Sequence, residues 1–204
     1  MESQTGSAER LGVMGGTFDP LHLGHLVAAS EVLSRLRLEL VLFMPTGNPW
    51  QKQSYSDPED RYLMTVLGTA SNPRFAVSRM EIDREGPTYT ADTMEMLRDF
   101  HGAAVELFFI AGADAAMKLR TWKKIERLAE LAKVIVVTRP GFQLGAVDPE
   151  PNLPEVHIME MPAIAISSSD IRQRVADGRP IDYLVPDEVA EYIRKNGLYL
   201  GEPS

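Results

Sequence analysis

The order of apolar segments along the chain predicts a doubly wound α/β domain, with a mostly parallel sheet and helices on both faces. Short apolar runs of strand length alternate with segments in which apolar residues recur at helical spacing, the pattern of strands joined by crossover helices. Two of those runs stop at glycines that lead into further structure, at Gly15-Gly16 and at Gly112. In such sheets, ligands bind beyond the carboxyl ends of the strands, where the strand order reverses.

Leu11 to Met14 is the first strand, and Leu23 to Leu36 places Leu26, Ala29, Leu33 and Leu36 on one helical face. Leu40 to Met44 is the second strand, stopped by Pro45, and a loop runs from Thr46 to Ser56. Asp57-Pro58 then supplies an N-cap and a proline at the first helical position, starting a helix to about Ala70. Phe75 to Ser78 is a weaker third strand. Thr90 is positioned to cap a helix from Ala91 to about Phe100, ended by His101-Gly102. Glu106 to Ala111 is the fourth strand, Lys123 to Lys133 reads as helix, and Val134 to Thr138 is the fifth strand, stopped by Pro140. Gly141 to Pro154 is a surface loop, Val156 to Met161 a sixth strand, and Ser168 or Ser169 is the expected cap of a helix to Ala176. Pro186 to Asn196 forms the last helix, closed by Gly197. No repeat divides the chain, so residues 11–204 are expected to form one domain, with residues 1–10 disordered because nothing in them can be buried.

At 204 residues, folding can bury roughly 70% of the unfolded surface, and 44% hydrophobic with 25% charged residues is an ordinary globular composition. The absence of cysteine excludes disulfides, thiolate metal sites and thiol catalysis. A formal charge of -8 argues against a general role on nucleic acid, so any phosphate site must be local. No segment approaches the ~20 apolar residues of a membrane span, and the polar N-terminus lacks a secretory signal, which makes the cytoplasm the expected location.

The glycine turn after the first strand lets backbone approach a phosphate, and the helix after it offers unpaired N–H groups and a positive dipole end. By itself that turn is equally a tight connection and nothing more. His22 and His25 stand three residues apart, so both rings leave the first turn on one side and can donate hydrogen bonds to phosphate oxygens. Zinc is the rival use of the pair, but the sequence offers no obvious third ligand. Ser167-Ser168-Ser169-Asp170-Ile171-Arg172 reads as a second anion site or as an ordinary serine cap with a surface arginine, and Lys52 is open to the same two readings.

The run Gly15-Gly16-Thr17-Phe18-Asp19-Pro20-Leu21-His22-Leu23-Gly24-His25 resembles the motif of the HxGH nucleotidyltransferase superfamily. Ile166-Ser167-Ser168-Ser169-Asp170-Ile171-Arg172 is similar to its second motif, usually ISSTxIR, at a matching separation. Gly86-Pro87-Thr88-Tyr89-Thr90-Ala91-Asp92-Thr93, Ile110 to Asp114 and Thr121-Trp122 extend the resemblance, along nearly the whole chain, to the bacterial nicotinate-nucleotide adenylyltransferases. One departure is the loop Asn48-Pro49-Trp50-Gln51-Lys52, where the family usually carries a second proline and a histidine before its basic residue.

The resemblance implies a Rossmann-like fold and adenylyl transfer from ATP to nicotinate mononucleotide in NAD biosynthesis, with Mg²⁺ carried by ATP rather than held by the protein. It implies that His22, His25, Lys52 and Arg172 are catalytic, and that Gly15, Gly16, Thr17, Phe18, Ser167, Ser168 and Ile171 bind ATP. Thr88, Thr90, Asp114 and Trp122 would bind the nicotinate nucleotide. Another adenylyltransferase of the superfamily and a non-enzymatic nucleotide-binding regulator are the alternatives. A homo-oligomer is left open.

Overall fold

The computed structural model describes residues 9–48, 56–139 and 153–201. In chain order the elements are β1 (Arg10–Gly16), α1 (Leu23–Arg35), β2 (Leu40–Pro45), α2 (Pro58–Thr69), β3 (Phe75–Val77), α3 (Thr90–His101) and β4 (Glu106–Gly112). They continue with α4 (Ala113–Ala116), a 3₁₀ turn (Leu119–Thr121), α5 (Ile125–Leu131), β5 (Ala132–Thr138), β6 (Val156–Glu160), α6 (Ser168–Ala176) and α7 (Asp187–Asn196). Lys52, most of its loop and nearly all of the Gly141 to Pro154 loop lie outside the described residues.

The six strands pair in parallel in the order β3-β2-β1-β4-β5-β6. The strand order reverses between β1 and β4, and this is the doubly wound, Rossmann-like arrangement. Their register sets Met14 beside Ile110, so the carboxyl ends of both strands, Gly16 and Gly112, open at one edge of the sheet.

Side chains leave a strand alternately to its two faces, and the core follows that rule strand by strand. Leu11, Val13, Leu107, Phe109, Val134 and Val136 pack with Met94, Leu97, Leu128 and Leu131 of α3 and α5. Met14, Val41, Phe43, Phe108, Ile110 and Ile135 pack on the other face with Ala29, Val32 and Leu33 of α1. Burying each large aliphatic side chain contributes about 1.5–3 kcal/mol, so both faces must be covered for the sheet to persist. A third cluster joins Met64 of α2, Ile171 of α6 and Val189, Ala190 and Ile193 of α7. This cluster seats α6 against the turn between β1 and α1.

Four local expectations change at the element ends. Thr90 is the first residue of α3, with Tyr89 at the cap position, and Ser167, not Ser168 or Ser169, caps α6 by accepting the Asp170 N–H. The expected helix to Lys133 stops at Leu131, because Ala132 turns extended and starts β5. Ala132, Val134 and Val136 then share the α5-side core, a gain in burial that a continued helix would forfeit. Glu9 and Arg10 are also engaged: β1 starts at Arg10, and the Glu9 carbonyl accepts the Glu106 N–H.

Candidate active site

The site begins with the turn from Thr17 to His22, which joins β1 to α1. Phe18 is held at φ 49, in the left-handed region that non-glycine residues seldom occupy. Its buried ring lies against Gly16, where an added Cβ would come within 3.0 Å of it, and it meets the His25 ring edge-on at 5.1 Å. His22 is the N-cap residue of α1, and its backbone N–H donates to His25 Nδ1 at 3.3 Å. That bond leaves the neutral His25 ring with its proton on Nε2, which can act as a donor.

The two rings stack 3.7 Å apart and 20° from parallel. His22 is buried, and its Nδ1 has no hydrogen-bond partner among the described residues. Burial, together with the nearby Arg139 charge, lowers its pKa from 6.5 to about 4, so the ring is neutral at physiological pH and retains one N–H to donate. Gly24 sets this geometry: a Cβ there would stand 3.0 Å from His22 Nδ1 and 3.1 Å from its Cε1. Gly24→Ala improves helix propensity by about 1 kcal/mol but presses on a ring already stacked on its other side. The thermal midpoint is therefore expected to hold or rise while kcat falls by about tenfold or more. Full kcat in a folded Gly24→Ala protein would show that the ring position does not limit turnover.

Distant elements satisfy the polar backbone of the turn. Arg172 Nη1 donates to the Asp19 carbonyl at 2.7 Å, Ser168 Oγ to the Pro20 carbonyl at 3.0 Å and the Leu23 N–H to the Leu184 carbonyl at 3.0 Å. The second motif is thereby tied directly to the first. Arg61, fully buried on α2, donates to the carbonyls of Thr17 at 2.9 Å, Thr46 at 2.6 Å and Gly47 at 3.0 Å. One guanidinium therefore holds the chain leaving β1 against the chain leaving β2. Burial pulls its pKa below the usual range, opposed chiefly by the Asp19 carboxylate.

Beside the glycine turn lies a cleft of about 190 Å³ at the strand-order reversal, lined by Gly15, Gly16 and Thr17 together with Thr88, Thr90 and Trp122. Trp122 packs edge-on against Phe109 at 5.4 Å. Its Nε1 is buried with no hydrogen-bond partner among the described residues, and the buried Thr88 hydroxyl neighbours the Glu81 carboxyl as a hydrogen-bonding group. An unpartnered donor is costly inside a protein, so the Trp122 indole N–H at the cleft points to a ligand that accepts. Glu81 also lines the cleft and is buried, and it accepts from the Thr93 hydroxyl at 2.7 Å. Burial raises its pKa, with the Thr93 hydrogen bond opposing.

The structure thus brings together His22, His25, the glycine turn, Ser168 and Arg172, and places Thr88, Thr90 and Trp122 in the cleft that the glycine turn lines. Ser167 serves the α6 cap, and Ile171 is wholly buried in the third core cluster, which leaves no side chain to offer a nucleotide. Asp114 is exposed in the first turn of α4 and does not line the cleft. Among the described residues no group of three or more His, Asp or Glu side chains could hold a metal, so the histidine pair gains no zinc partner there. Sequence reasoning missed Arg61, Glu81 and the partners of Asp19, because each acts through residues remote in the chain.

Residues 13–174 match the cytidylyltransferase-like family, so fold and site together define a nucleotidyltransferase. Over 95% of its length the chain is 58% identical to a protein of Saccharopolyspora erythraea named "Probable nicotinate-nucleotide adenylyltransferase", 91% of which is covered. A protein of the same name from Acidothermus cellulolyticus is 55% identical, with 96% of both chains covered. The chain belongs to this family, in its nicotinate-nucleotide adenylyltransferase branch. The fold is also that of Plasmodium falciparum nicotinic acid mononucleotide adenylyltransferase complexed with NaAD, at TM-score 0.77 and 18% identity over 94% of this chain and 97% of that one.

Proposed function

We propose that the chain transfers the adenylyl group of ATP to nicotinate mononucleotide, releasing pyrophosphate and forming nicotinate adenine dinucleotide. The observation that carries this reading is the cleft itself, which the glycine turn shares with Thr88, Thr90 and the buried Trp122 Nε1, beside the helix start that carries the stacked histidine pair. A phosphate-bearing molecule with an acceptor at its far end would meet both the glycine turn and the indole donor.

A mononucleotide phosphate oxygen attacks the α-phosphorus of ATP, one P–O bond forms, and the bond to the bridging oxygen breaks with its electrons leaving on pyrophosphate. A phosphate monoester, with a second pKa of about 6, is already largely dianionic at neutral pH, so the attack needs no general base. What the protein must supply is alignment of two anions and donors for the charge that develops. His22 and His25, with the amides of Gly16 and Thr17, supply donors at the ATP phosphates, and Arg172 with the Ser167-Ser168 helix start neutralises the departing pyrophosphate. Gly15 and Phe18 shape that turn, Ile171 anchors α6 in the third core cluster, and Lys52 supplies a further positive charge for the phosphates. Thr88, Thr90 and Trp122 face the pyridine end, with Asp114 at its margin. Mg²⁺ bound to ATP would offset phosphate charge while keeping several waters. No described helix is long and apolar enough to cross a membrane, and the cytoplasm is the proposed location.

The test is pyrophosphate release from ATP and Mg²⁺ with nicotinate mononucleotide, nicotinamide mononucleotide or a phosphopantetheine acceptor. Release with the first is expected. Release only with either of the others would overturn the substrate, and no release with any would leave a nucleotide-binding protein without this activity.

A further inference from the structure

Asp19 lies within the first motif, yet it does not line the cleft, and its carboxyl group sits in a buried polar knot. It is 3% exposed, and its Oδ1 accepts from Tyr199 Oη at 2.6 Å and, over a short contact, from Ser56 Oγ. Ser56 Oγ and Tyr199 Oη also stand 3.2 Å apart, so the two hydroxyls and the carboxylate form a closed triangle. The same residue's backbone carbonyl carries Arg172, and His22 follows three positions later.

Tyr199 reaches this place by an unusual path. After α7 the chain reverses at Gly197, with φ 62, and Tyr199 itself is held at φ 64. A left-handed backbone at an aromatic residue costs on the order of 1–2 kcal/mol and persists only where its surroundings over-determine it. Hydrogen bonds to an ionised, buried carboxylate are among the stronger ones available in a protein. Burial first, and the Asp19 charge second, raise the Tyr199 pKa, so the hydroxyl keeps its proton and donates.

We propose that Tyr199 is a positioning residue for the His22–His25 turn, acting through Asp19 to couple the end of the chain to the phosphate site. Loss of the hydroxyl leaves a buried carboxylate short of a donor. The carboxylate then moves toward water, carrying with it the Asp19 backbone that seats Arg172 and the turn that seats His22. The consequence for turnover rests on the adenylyl-transfer reading above, whereas the consequence for the His22 environment does not.

The experiment compares the full chain with its Tyr199→Phe variant in two measurements. In the adenylyl-transfer assay, kcat is expected to fall by about tenfold or more, as small misplacements of reacting groups do, with KM for the mononucleotide within about twofold. In the nucleotide-free protein, imidazole titration followed by NMR is expected to show the lowest histidine pKa rising toward the unperturbed 6.5, because a displaced His22 regains water. Ser56→Ala removes the other donor to the same oxygen and should move both readouts in the same direction; it serves as the test if Tyr199→Phe does not fold. An unmoved His22 titration in a folded variant overturns the proposal. A full chain that releases no pyrophosphate while the titration still shifts would overturn the reaction and leave the positioning intact.

Discussion

Replacing His22 with Ala is expected to lower kcat for adenylyl transfer by about 10²-fold or more, because it removes a donor aimed at charge that grows in the transition state. The ring is also one half of a stacked pair, so its loss withdraws support from His25 as well. Pyrophosphate release at saturating ATP is the measurement, and near-normal turnover would remove His22 from the reaction. The substitution carries a second effect whose sign follows from burial. The folded chain holds the His22 pKa at about 4, against 6.5 in the unfolded chain. Between those values the unfolded state takes up a proton that the folded state refuses, so acid favours unfolding. The contribution is fully present above pH 6.5 and is lost as pH falls toward 4, by an amount on the order of 3 kcal/mol. His22→Ala should lack that loss, so its thermal midpoint should decline less than the wild-type one when both are scanned from pH 7 to pH 4. Parallel declines would mean that burial of the ring is not what keeps it neutral.

That His22 could be singled out from the sequence, and Arg61 could not, follows from how far each residue's role extends along the chain. His22, Gly24 and His25 act within one helical turn, so their spacing already states their geometry. The strands were legible for a similar reason: alternation such as Leu11 and Val13 against Met14 is a local pattern, and it is the pattern the two core faces use. Arg61 sits in Asp57-Pro58-Glu59-Asp60-Arg61, which reads as a solvated helix start. Its burial depends on three carbonyls from the ends of two other strands. Tyr199 is a comparable case, because its partner Asp19 lies 180 positions away. The cap of α6 and the start of β5 failed differently. Adjacent serines have nearly equal capping propensity, and only the seating of α6 on the third core decides among them. Similarly, Ala132 and Lys133 suit a helix until the strand they join offers more burial.

The pyridine end of the cleft carries the second large expectation: kcat/KM for nicotinate mononucleotide should exceed that for the nicotinamide form by about tenfold to several-hundredfold. Trp122 Nε1 can only donate, and it is buried without a partner at the wall where Thr88 and Thr90 also stand. A carboxylate accepts at both oxygens in any orientation of its plane. The amide has one oxygen, and its NH₂ group turned toward a donor leaves both groups unsatisfied, at roughly 1–3 kcal/mol for each such contact. One or two contacts of that size produce the stated range. Trp122→Phe keeps an aromatic ring beside Phe109 and removes the indole N–H with part of the bicycle, so it should shrink the nicotinate preference while leaving KM for ATP close to that of the parent chain. The comparison is made at matched ATP and Mg²⁺ with both mononucleotides. Equal kcat/KM values, or a preference for the amide, would remove the donor wall as the basis of selection and leave adenylyl transfer standing. A preference unchanged in Trp122→Phe would move the selecting donor from the indole to Thr88, Thr90 or a backbone amide.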